Sequence, residues 1–242
     1  MNSRLVRRGD LTRADRDAML ALLSEHFEGI ERPSFDRDLD EKNWVLLFTD
    51  EEGLKGFTTM LAYETQHRGE RISVIYSGDT IMARDGWRTS TLPRAWGRAV
   101  RDLRGGLLRG ARLYWLLLTS GFRTYRLLPV FWREFYPRQG APTPPEMQAL
   151  LDDLAAERFG RLYEPAAGIV RFPRPQVLRE ELADISAGRL QDTDVAFFAA
   201  RNPGWRRGDE LVCVTEVCLR NLTPAGRRMW LHPGEEALER VG

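Results

Sequence analysis

The stretch ISVIYSGDTIM, Ile72 to Met82, decides how this chain folds, together with the residues that follow it, Arg84-Asp85-Gly86-Trp87-Arg88-Thr89 and Ser90-Thr91-Leu92-Pro93. The first run is dense in β-branched and aromatic residues and reads as a strand. Arg84-Asp85-Gly86 breaks it. Ser90 or Thr91 then caps a helix with Pro93 in its first turn, running to about Leu103 and stopping at Gly105-Gly106. The next segment, Arg112–Thr119, is the most apolar strand of the chain. Tyr114 to Leu118 are expected to be buried on both faces.

Upstream, Arg4–Arg8 reads as a short strand. Thr12 is placed to cap a helix over Ala14–Phe27, with Asp15 three residues on in a capping-box position. A second short helix is expected over Ser34–Lys42, capped by Ser34. Trp44–Thr49 and Leu54–Tyr63 read as a hairpin around Asp50-Glu51-Glu52-Gly53, with a bulge at Gly56. Downstream, a helix is expected from about Thr124 to Tyr136, kinked or delayed by Pro129. Another covers Glu146–Phe159, and Gln176–Ile185 is read as helical. Val195–Ala200 and Leu211–Leu219 read as a closing hairpin. The order is β-α-α-β-β-β-α-β-α, then a helical segment and the hairpin. It predicts a mixed α/β (α+β) fold with a mostly antiparallel central sheet flanked by helices.

The composition is that of an ordinary globular protein: 242 residues, 43% hydrophobic and 29% charged, enough to bury a core without disulfides. No apolar stretch approaches the roughly 20 residues of a transmembrane helix. Met1–Asp17 is polar and lacks the form of a signal peptide, so cytoplasmic residence is expected. Cys213 and Cys218, on one strand, point to opposite faces and cannot bridge. His26, His67 and His232 fall in no ligand-spaced motif, and no metal is expected. The net charge is +1, yet twelve arginines face three acids between Arg84 and Arg138. Such a basic middle fits an anionic partner or a solvated face paired with acids elsewhere. No nucleic-acid reader motif is visible, so nucleic acid is not an expected partner.

From Arg4 to Arg138 the order of elements resembles the GNAT superfamily of acyl-CoA-dependent N-acyltransferases. That resemblance implies residues 1–140 as the acyltransferase core and 141–242 as an extension completing the same domain. In the family, the loop after the fourth strand holds the CoA pyrophosphate on backbone N–H groups at a helix start, an anion site any helix terminus offers. It implies thioester contacts from Met82, Arg84, Arg88, Thr89 and Ser90, with Thr119 and Ser120 bonding the pantetheine arm. The loop departs from the family pattern. Trp87 and Thr89 stand where the family has glycine and glycine or alanine, positions where backbone approaches the ligand closely. The implied donor is acyl-CoA or acyl carrier protein. For the carrier, Arg94, Arg98 and Arg101 share one helix face, and Tyr125 to Trp132 are read as either the wall of a fatty-chain tunnel or a helix packed on the sheet.

Direct transfer to an amine requires a base for the amine and a proton for the leaving thiolate. Asp79 is the first candidate base, since a carboxylate inside an apolar strand is partly desolvated and titrates higher. The competing reading of Asp79 is a structural acceptor. Glu64 is the second candidate. The resemblance implies a tyrosine acid on the helix after the fifth strand, and Tyr125 is its candidate; another offset puts Phe131 there. The acceptor is expected to be a small-molecule or lipid-like amine. The alternative is a GNAT-like domain without catalysis that binds a thioester or a partner.

Overall fold

The computed structural model describes residues 1–83, 86 and 90–231. In chain order the elements are β1 (Asn2–Arg7), α1 (Arg13–His26), β2 (Phe27–Glu28), α2 (Arg32–Asp40), β3 (Trp44–Asp50), β4 (Gly53–His67), β5 (Glu70–Met82), α3 (Thr91–Gly106) and β6 (Arg112–Thr119). There follow α4 (Phe122–Tyr125), α5 (Leu127–Phe131), α6 (Pro145–Phe159), β7 (Tyr163–Glu164), β8 (Ile169–Val170) and β9 (Val177–Leu178). The described chain closes with α7 (Glu180–Ala183), α8 (Thr193–Arg201), β10 (Glu210–Glu216) and α9 (Pro224–Trp230).

Eight strands form one sheet in the order β1-β3-β4-β5-β6-β10-β8-β7, and β2 pairs separately with β9. Every neighbouring pair is antiparallel except β5 and β6. A parallel pair needs a crossover connection, and α3 supplies it. The fold is therefore the mixed α/β arrangement expected, with a mostly antiparallel sheet between helices.

The capping box at α1 forms as read: the Thr12 hydroxyl accepts from Asp15 N at 3.0 Å, and the Asp15 carboxylate accepts from Thr12 N at 2.9 Å. Four expectations are corrected. Helix α2 starts upstream of Ser34, because Pro33 fits a first helical turn; its cap is Glu31 and Ser34 takes no capping role. The helix expected over 124–136 is two short helices, after which the chain runs extended and bridges Trp132 to Leu222 and Tyr136 to Val214. Gln176–Ile185 holds only the strand β9 and the four-residue α7. Val195–Ala200 is not a strand but the body of α8, whose cap Asp192 accepts from the N–H groups of Asp194 and Val195. Its buried residues, Val195 and Phe198, are three apart, the period of a helix. The closing hairpin is thus absent, and β10 instead inserts between β6 and β8.

Helices α3, α4, α5, α8 and α9 cover one face of the sheet around a cluster of Trp96, Trp115 and Trp132, whose ring centroids lie 4.8 to 5.8 Å apart. On the other face, α1 and α2 cover β1, β3 and β4 through Met19, Leu23, Phe35 and Leu39. Beside them, α6 covers β5, β6 and β10 through Leu150, Leu151 and Leu154. Between these two helical covers the face is left open, and that opening is the candidate site. No described helix is long and apolar enough to cross a membrane.

Candidate active site

The site begins with an irregularity in β5. The parallel ladder joins Ile72–Ser77 to Arg112–Leu117 and goes no further. Beyond it, β5 continues to Met82 paired only with β4, while β6 continues to Thr119 paired with β10. The two strands fork at Ser77. At the same place the β4–β5 register slips, so that Gly78 and Asp79 together oppose Thr59. A bulge of this kind bends its strand and re-aims a side chain, and here the side chain is Asp79.

The fork opens into a cleft of about 770 Å³, within the usual range for small-molecule sites. Tyr76 to Met82 and Leu118 to Gly121 line it, with residues of α1 and α2 on one side and the 172–178 segment and Glu210 on the other. Three carboxyl groups are near neighbours there: Asp38 of α2, Asp79 of β5 and Glu210 at the start of β10. Asp79 and Glu210 are half-buried and line the cleft. Among the described residues, no hydrogen bond or ion pair reaches either carboxyl. Burial and the nearby Asp38 charge push Asp79 up to about 7, against the pull of Lys42. Burial, Asp79 and Asp38 push Glu210 up to about 8, again against Lys42.

Among the described residues, Lys42 is the cation that acts on both Asp79 and Glu210. Its side chain is fully buried, and Nζ donates to Asp38 Oδ1 at 2.7 Å and to the Asp38 carbonyl at 3.1 Å. It reaches that position by passing against Gly78. A Cβ on Gly78 would stand 2.7 Å from Lys42 Cε and 2.5 Å from Thr59 Oγ1. The ammonium also lies 5.3 Å from the centroid of the Tyr76 ring, and the Arg158 guanidinium 5.4 Å from it. Tyr76 is 5% exposed and lines the cleft. Burial, followed by Asp38 and Glu210, holds its hydroxyl well above the ordinary range, so it stays protonated.

The structure brings together Asp79, Met82, Thr119 and Ser120 of the residues picked from the sequence. The Thr119 hydroxyl is taken up by its own turn, accepting from Gly121 N at 3.0 Å and donating to Gly121 O at 2.8 Å. Ser90 is the exposed N-cap of α3 and makes no side-chain cap bond. Arg84, Arg88 and Thr89, together with Trp87, lie outside the described residues. Two picks are elsewhere. Glu64 sits on the far part of β4, where hydrogen bonds from Arg71 and the Arg109 N–H outweigh burial and lower its carboxyl. Tyr125 is fully buried among Phe135, Phe197 and Phe198, and its hydroxyl donates to the Pro137 carbonyl at 3.1 Å. It is a core residue and does not face the cleft. On α3, Arg94 and Arg98 are exposed, while Arg101 is half-buried, stacks on Trp230 and donates to its carbonyl.

Sequence reasoning missed Asp38, Lys42, Tyr76 and Glu210. Lys42 carried a faint signal, being one of only two lysines in the chain and standing two residues before an apolar strand. Glu210 carried none, since a charged residue at the start of a strand is ordinary.

From β1 to β6 the order of the main elements is the one expected from the resemblance. In that order the fold resembles the GNAT arrangement. No protein-family model and no curated protein matches the chain by sequence. Among solved structures it is similar to a probable N-acyltransferase from Enterococcus faecalis, at 13% identity over 56% of this chain and a TM-score of 0.41. The match spans 33% of that protein's length. It is also similar to a transcriptional regulator from Bacillus halodurans, at 15% identity over 59% of this chain and 97% of the other, with a TM-score of 0.39. A third similar structure is a GNAT family N-acetyltransferase from Escherichia coli in complex with CoA, at 15% identity over 53% of this chain and 68% of the other, with a TM-score of 0.38.

Proposed function

We propose that this protein transfers an acyl group from a CoA thioester directly to an amine, with Asp79 as the base. The observation that carries this reading is the fork at Ser77 with the Asp79 carboxyl beside it. Beyond Ser77 the edge of β5 that faced β6 has lost its strand partner. An extended chain bearing amides, such as the pantetheine arm of CoA, can bond to such an edge as an added strand would. The start of α3 would present the Thr91 and Leu92 N–H groups and the positive end of a helix dipole to the pyrophosphate. CoA is preferred over acyl carrier protein as the donor because the arginine face that would suit the carrier is partly consumed inside the fold.

The acceptor enters as an ammonium and gives one proton to Asp79. The freed amine attacks the thioester carbonyl, forming the C–N bond. As the tetrahedral intermediate collapses, the C–S bond breaks and the second proton leaves nitrogen for the departing sulfur. Asp79 then returns its proton to water. A carboxyl pushed toward neutrality is a stronger base than an ordinary aspartate. Release of CoA thiol from acetyl-CoA in the presence of a simple primary amine tests the assignment. Asp79→Asn is expected to slow release by about 10²–10⁴-fold, the usual worth of general base catalysis, while CoA still raises the melting temperature. Equal rates in the variant and the parent would remove Asp79 as the base.

A further inference from the structure

The cations in and around the cleft are engaged elsewhere: Arg37 donates to Ser34, Arg123 to the Leu182 carbonyl, and Arg174 pairs with Glu31. Asp38 is paired with Lys42 at 2.7 Å. Arg158, the other cation near Tyr76, is paired with Glu41. That leaves Asp79 and Glu210 facing one cleft with no partner among the described residues. A third group points into the same space. Tyr76 is at least nine-tenths buried, lines the cleft, and makes no hydrogen bond with any described residue. A hydroxyl and two carboxyls without partners among the described residues are acceptors that a ligand's donors can engage.

We infer that Asp79, Glu210 and Tyr76 form a binding site for an alkylammonium, so that the acceptor is taken up as a cation and neutral amides and anions are excluded. The inference rests on the transferase reading for its purpose but not for its geometry. An ammonium has three N–H donors, and the site offers two carboxyls and a phenolic oxygen, which is one acceptor for each. A divalent metal is a poorer match. Among the described residues no group of three metal-ligating side chains could hold one, and the Lys42 ammonium stands in the middle of the cluster. Glu210 also has a use that Asp79 cannot fill: it keeps a negative charge on the cleft wall after Asp79 has taken its proton. Acylation then abolishes the cation, and the neutral amide product loses the attraction that held the substrate.

A cation between the two carboxyls favours their ionised forms, so its arrival expels protons near neutral pH. The charged groups around Tyr76, Asp79 and Glu210 are Glu31, Arg37, Asp38, Glu41 and Lys42 from the α2 side, Arg123 from α4, Arg158 from α6 and Arg174 from the 172–178 segment. Butylammonium is the probe. Isothermal titration of the full chain at pH 7, in two buffers of different ionisation enthalpy, should show binding with proton release. Glu210→Gln should weaken binding about tenfold or more and diminish the release; tenfold corresponds to about 1.4 kcal/mol. Tyr76→Phe should weaken binding and keep the proton release. Butyramide should not bind. The inference is overturned by butylammonium binding unaltered in Glu210→Gln, by binding without proton release, by no binding at all, or by magnesium producing the same response. Binding with proton release but no thiol release from acetyl-CoA would sink the transferase reading and leave the ammonium site standing. Thiol release with Glu210→Gln indistinguishable from the parent in both assays would do the reverse.

Discussion

Gly78 shows how a single position sets the chemistry of the cleft. Its missing side chain is what lets Lys42 lie between α2 and the bulge of β5. The lysine in turn restrains the upward shift of Asp79 and Glu210. In Gly78→Ala the new methyl meets Thr59 Oγ1 and Lys42 Cε at less than 3 Å. Inserting a methyl into a packed interior costs roughly 1–3 kcal/mol. The flexible lysine yields before the strand does, so we expect Lys42 to be displaced from Asp79. Two readouts follow. Chemical denaturation should show the loss of stability, and the acid limb of the pH–rate profile should move to higher pH, because the cation that favours ionised Asp79 has gone. A loss of stability with an unmoved limb would show that Lys42 does not act on Asp79.

Ser77 stands where β5 and β6 part, and it does for the opposite face what Gly78 does for the cleft. Its hydroxyl accepts from the indole N–H groups of Trp96 at 3.3 Å and Trp115 at 3.0 Å. It thereby ties the crossover helix and the next strand to the point of divergence. Ser77→Ala leaves two buried donors without an acceptor, at about 1–3 kcal/mol each. A fall in stability of at least about 2 kcal/mol is expected in urea unfolding, with tryptophan emission altered in the native state; a change below about 0.5 kcal/mol would mean that the indoles find other acceptors. The elements themselves were largely readable from the sequence. The capping residues Thr12 and Asp15 announced α1, and the uninterrupted apolar run Tyr114–Leu118 announced a strand buried on both faces. Val195–Ala200 misled because a short apolar run has no period of its own, and only the Asp192 cap distinguishes helix from strand. Asp79 could be picked because an acid in an apolar strand is conspicuous. Glu210 could not be, because it lies more than a hundred residues away and meets Asp79 only when β10 enters the sheet. Tyr125 misled for the reverse reason: its position after β6 fitted the family, but its ring serves the core.

The carboxyls of the cleft and those of the surface pull the stability of the whole molecule in opposite directions with pH. Asp15, Glu64 and Glu216 are held below their ordinary values, because hydrogen bonds and ion pairs outweigh the effect of burial. Their contribution is present above the unfolded-state value and is lost as the pH falls through the folded one. Asp79 and Glu210 are raised, burial being the largest cause, to about 7 and about 8. A raised carboxyl binds more protons folded than unfolded, so its contribution is full below about pH 4 and drains away as the pH rises through its folded value. Stability is therefore expected to fall toward both acid and alkaline pH, with the alkaline side governed by the cleft. Glu210→Gln removes one raised group and relieves the repulsion on the other, so its effect exceeds that of a single independent site. At pH 5 the variant should melt close to the parent. At pH 9 it should be the more stable of the two by on the order of 1 kcal/mol or more, which for a chain of this size is a rise of roughly 2–4 °C per kcal/mol. Melting curves of both proteins across that range decide it. Parallel curves would mean that Glu210 carries no strain in the folded state, and that the cleft is not short of a cation.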